Sequence, residues 1–75
     1  MGSMDAGNDM KPLPELLDVV QQRYPGTVLE AELKYDRETR PVYEIDLRLL
    51  NDTLIEVTLD PVTGRVLDEE EIEVR

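Results

Sequence analysis

Cysteine and histidine are both absent from the 75 residues, and so are tryptophan and phenylalanine. Those gaps remove disulfides, thiol nucleophiles, imidazole acid–base chemistry and the usual zinc and copper ligand sets. Most catalytic constellations go with them. Basic residues are also scarce, eight Lys and Arg against eighteen Asp and Glu, for a formal net charge of −10. Such a surface repels phosphate-rich partners, which argues against an electrostatic footprint for nucleic acid or anionic lipid. No apolar run approaches the ~20 residues needed to cross a bilayer, so neither a membrane span nor a secretory signal is read in the chain. Freedom from cysteine suits an extracytoplasmic bacterial protein as well as a cytosolic one.

What is present amounts to one small domain, because a chain this short buries only about 60% of its unfolded surface. Residues 1–12 read as a cloning remnant (Met1 to Met4) followed by a flexible, polar leader. Helical spacing begins at Leu13 and continues through Leu16, Leu17, Val20 and Tyr24. Pro14 suits an early helical position, Glu15 favours the positive end of the dipole, and Pro25 with Gly26 stops the helix at Arg23 or Tyr24. No Ser, Thr, Asp or Asn immediately precedes Pro14, so the start lacks a side-chain cap.

Beyond Gly26 the period changes to two. Leu29, Ala31, Leu33 and Tyr35 alternate with Glu30, Glu32 and Lys34, the pattern of a half-buried strand. A polar turn from Asp36 to Pro41 leads to a second strand, with Tyr43, Ile45, Leu47 and Leu49 on one face, and then to a third with Ile55, Val57 and Leu59. A two-residue loop at Asn51 would set Leu47 beside Glu56 and mix the faces. A three-residue loop of Leu50, Asn51 and Asp52 instead pairs Leu47 with Ile55, Ile45 with Val57 and Tyr43 with Leu59. The odd-numbered aliphatic and tyrosyl side chains from Leu29 to Leu59 are therefore expected together beneath the helix.

The stretch from Asp60 to Gly64 is a turn in which Pro61 presets φ and Gly64 accepts positive φ. Arg65, Val66 and Leu67 read as a short fourth strand. Asp68 to Glu73 then sets five carboxylates in six residues, poor material for a packed strand and expected to fray, although Ile72 and Val74 interrupt the pattern. The expected fold is α+β: one N-terminal helix packed on one face of a three- to four-stranded antiparallel meander, in two layers. Residues 13–67 form the domain and residues 68–75 an acidic tail.

The order of helix, Tyr24-Pro25-Gly26, strand, the Tyr43 to Asp46 block, strand, and the run from Leu59 through Asp60, Thr63 and Gly64 to Leu67 resembles the PepSY domain over about Leu13 to Leu67. Asn51-Asp52 stands where many members have an Asp-Gly turn. The resemblance implies a bacterial, non-enzymatic, extracytoplasmic module, periplasmic or secreted, that binds a protein partner and inhibits or regulates a peptidase. It also implies that Pro25, Gly26, Tyr43, Ile45 and Asp60 to Gly64 are architectural.

Individual residues agree with a non-catalytic reading. Glu44 and Asp46 lie on the polar face of an alternating strand, where surface solubility explains them. Thr63 has no base beside it and reads as a turn residue. The acidic tail lacks the alternating ligands and glycine of a calcium loop and reads as solvated charge. No catalytic, cofactor-binding or metal-binding residue is assigned. Parity sends Val42, Leu50 and Leu54 to the face opposite the helix, and with Glu44, Arg48 and Glu56 they form the candidate interaction surface. A free sheet edge is a second route for docking, and the partner is another protein or a second copy of this chain. A structural or sensory segment that reports ligand or ion occupancy in a signalling or envelope system stands as the alternative.

Overall fold

The computed structural model describes residues 9–72, so Glu73 and Val74 lie outside the described residues, as does most of the leader. One helix, α1 (Leu13–Arg23), precedes four strands, β1 (Gly26–Tyr35), β2 (Pro41–Leu49), β3 (Leu54–Leu59) and β4 (Val66–Ile72). The strands form a single sheet in chain order, each antiparallel to the next. With the helix on one face, this is the expected α+β architecture.

The helix starts after Pro12, which makes no side-chain cap bond, and prolines occupy its entry. Support comes from the turn between β3 and β4 and from the helix itself: the Lys11 N–H donates to the Pro61 carbonyl at 2.8 Å, and its ammonium lies 3.5 Å from Glu15. At the other end the Tyr24 N–H donates to the Val20 carbonyl before Pro25 turns the chain into β1. Gly26 is required there, because a Cβ would stand 2.2 Å from the Arg48 carbonyl oxygen on β2. Leu16, Val20 and Tyr24 face the sheet and meet Ile45, Leu47, Ile55, Val57 and Leu59, forming the core. Leu17, Val28, Ala31, Tyr43, Leu49 and Val66 pack around its margin.

The β2–β3 hairpin has the expected register: Tyr43 faces Leu59, Ile45 faces Val57 and Leu47 faces Ile55. Its loop is the three-residue kind. Asp52 takes a left-handed φ of 70°, the Leu49 N–H donates to the Thr53 carbonyl at 2.8 Å, and the Thr53 N–H donates to the Asn51 side chain at 3.1 Å. Asp fills the left-handed position, so no glycine is needed there.

Three expectations are corrected, the first of them by a bulge. Between Val28 and Glu30 the β1–β2 register shifts, so Val28 pairs with Leu47 and packs on the core while Leu29 is left 49% exposed. Tyr35 is 65% exposed. The helix enters beside the β3–β4 turn and leaves at the start of β1, a diagonal that leaves the Tyr35–Pro41 corner uncovered. The fourth strand is longer than expected, running to Ile72 through the acidic run, and Arg65 precedes it. A second bulge skips Leu67, so that Leu59 pairs with Val66 and Thr58 with Asp68. As an edge strand β4 needs backbone partners on one side only, and Asp68 to Glu71 all remain exposed.

Candidate functional site: the outer face of the sheet

With the helix on one side, the other side of the sheet carries the even-numbered residues of β2 and β3. Register aligns them with β1 and β4 in rows running across the strands. Glu30, Asp46, Glu56 and Glu70 form one row, and Glu32, Glu44, Thr58 and Asp68 form the next. Thr27, Arg48, Leu54 and Ile72 border these rows at one end, and Lys34 and Val42 border them at the other. Seven carboxylates thus occupy two adjacent rows with aliphatic and basic side chains at both ends. Like charges directly opposite one another across strands destabilise a sheet.

The charges respond to one another. Partial burial, followed by the neighbouring Glu44 and Asp46, holds the Glu56 carboxyl above its ordinary range, and Glu70 adds to the effect. Lys34 relieves part of the repulsion by pairing with Glu44 at 3.0 Å, and that contact raises its own pKa. At the β1–β2 loop Asp36 behaves oppositely. Its carboxylate accepts the Arg40 and Glu38 N–H groups, each at 2.9 Å, and the Arg40 guanidinium at 3.1 Å, which together hold its pKa low.

Of the six candidate residues, the structure brings Val42, Glu44, Arg48, Leu54 and Glu56 onto this one face. Leu50 is elsewhere. It sits 83% exposed in the β2–β3 loop, where it borders a hollow of about 360 Å³ with Tyr24, Pro25 and Leu49 at the end of the helix. The loop redirects the chain before strand parity applies. A second hollow of about 270 Å³ joins Val42 to Val62 and Leu67 near Asp36 and Arg40. Sequence parity reaches Glu30 and Glu32, but Asp68 and Glu70 join the face only through the β4 bulge, which no residue in that stretch announces. Among the described residues no group of three or more acids is arranged to hold a metal ion. The face offers acceptor oxygens, negative charge and an aliphatic rim.

Residues 13–70 match the family described as peptidase propeptide and YPEB domain, PepSY. The chain belongs to the PepSY family. No curated protein and no solved structure matches it. PepSY domains are generally non-catalytic propeptide- or inhibitor-like modules and are typically extracytoplasmic, and no helix among the described residues of this PepSY domain is long and apolar enough to cross a membrane. The motif residues shared with the family hold the fold. Ile45 is in the core, Asp60 accepts the Val62 N–H at 2.8 Å, and Gly64 has a φ of +79° as its N–H donates to the Asp60 carbonyl.

Proposed function

We propose that this PepSY domain is a non-enzymatic protein-interaction module that works outside the cytoplasm and regulates a peptidase by docking on it through the outer sheet face. Family membership supports the partner class. The observation that supports the docking surface is a face that no other element among the described residues covers: with the helix on one side of the sheet, Val42 and Leu54 are half-buried on the other, beside Glu44, Arg48 and Glu56.

Co-purification and inhibition assays with the peptidases secreted by the source organism test this reading. One of them is expected to be retained and inhibited, with Leu54→Ser and Arg48→Glu weakening both effects by about tenfold or more while leaving the urea midpoint unchanged. No binding of any such peptidase at micromolar concentration removes the proposal.

A further inference from the structure

Strand β4 is an edge. Six of its seven residues pair with β3 on one side, and among the described residues no strand lies on the other, so alternate residues direct N–H and C=O groups outward without a strand partner there. The side chains along this edge are acidic on both faces of the sheet. Asp68 and Glu70 share the outer face with Thr58 and Glu56, while Glu69 and Glu71 share the helix face with Val57 and Ile55. All four are exposed. The opposite edge, β1, is bulged as well, at Leu29, but differs in charge: its acids Glu30 and Glu32 lie on the outer face alone, and Lys34 adds a positive charge.

From these two independent features, an open main-chain edge and carboxylates on both sides of it, we infer that β4 receives an extended, lysine- or arginine-bearing segment of the protein partner as a fifth strand. The inference rests on the protein-docking reading above and specifies its partner's chemistry. Added strands gain affinity from main-chain hydrogen bonds and specificity from alternate side chains. A cation opposite Glu70 would be the first positive charge in the row of Glu30, Asp46, Glu56 and Glu70, where like charges otherwise face one another across the whole sheet. The row is thus complementary to a basic strand. The same carboxylates repel a second copy of β4, which closes the edge to self-pairing.

The test is an amide NMR titration of the full chain with an acetylated, amidated octapeptide of alternating lysine and valine, run beside the same peptide N-methylated at every residue, which removes the donors from both of its edges. Charge is identical in the two peptides, but the second cannot complete a strand ladder. The amides of residues 66–72 are expected to shift and to exchange more slowly with the plain peptide. The N-methylated peptide, and a chain carrying Asp68→Asn, Glu70→Gln and Glu71→Gln, are each expected to bind about tenfold more weakly. Equal affinity for the two peptides shows charge adsorption without strand addition and overturns the inference. So do shifts spread over every acidic segment, shifts centred on β1, or no shift at millimolar peptide. A peptidase retained through Val42 and Leu54 while the peptide fails sinks the β4 inference alone; a peptide that docks on β4 while no peptidase binds sinks the peptidase reading and leaves β4 standing.

Discussion

Tyr24 closes the helix, fills the core and reaches the last strand of the sheet. Its ring is nearly buried, the Arg23 guanidinium lies 5.5 Å from the ring centre, and its hydroxyl donates to the Glu69 carboxylate at 2.7 Å. Burial, then the hydrogen bond and charge of Glu69, push the phenol above its ordinary pKa of 10.0. A folded-state pKa raised in this way means that the bond's contribution is full below pH 10 and is lost as pH rises through the raised value. Because Glu69 is exposed, the bond is discounted to about 1 kcal/mol. Tyr24→Phe is therefore expected to lower the unfolding free energy by that amount, read as a lower urea midpoint at an unchanged slope, and Glu69→Gln in the Tyr24→Phe background is expected to add little. Full additivity of the two changes would show that the hydroxyl and carboxylate do not interact. Helical spacing makes the burial of Tyr24 legible in the sequence. It does not reveal Glu69, 45 positions away on a strand whose register depends on a bulge.

At the scale of elements, alternation identifies β1, β2 and β3, and one parity argument orders the central hairpin down to its residue pairs. Alternation is blind to the two bulges. An extra residue at Leu29 or Leu67 inverts the parity of everything on one side of it, and both bulges are built from ordinary strand-forming side chains. That is why the acidic rows emerge only once the four strands are aligned, and why the tail reads as solvated charge although it closes the sheet. The rows have a measurable cost. Glu56 binds its proton more tightly in the folded sheet than at the ordinary 4.5, so its contribution to stability is fully present below that value and is lost as pH rises through the raised one. Asp36, held below the ordinary 3.8, contributes above that value and loses its contribution as pH falls through the depressed one. Stability is thus expected to rise on mild acidification from neutral pH and to fall once Asp36 protonates. Glu56→Gln, neutral at every pH, is expected to be more stable than the parent at pH 7, with the gap closing by about pH 4 in urea titrations. A variant less stable than the parent at neutral pH would show that the charge of Glu56 is compensated.

Across the whole molecule, one helix laid on one sheet makes a single thin core, and its class is legible because the two hydrophobic periods occur in separate stretches of chain. Where the helix lies is not legible. Spacing marks Leu13, Leu16, Leu17, Val20 and Tyr24 alike, yet only Leu16, Val20 and Tyr24, four residues apart, point into the centre, while Leu13 and Leu17 are half-buried at the sides. The distinction has energetic consequences in a chain of this length, whose total stability is of order 4–11 kcal/mol. Leu16 is completely buried against the sheet, so Leu16→Ala loses its transfer free energy and leaves a cavity the rigid sheet cannot close, about 2–5 kcal/mol. Ile45→Ala, on the facing strand, belongs to the same range. At Leu17 water already reaches part of the side chain and fills the space vacated, so Leu17→Ala is expected to cost about half as much. Urea midpoints compared at equal slope separate the two leucines, and a Leu17→Ala variant as damaged as Leu16→Ala would mean that the helix is rolled so that Leu17 lies in the core.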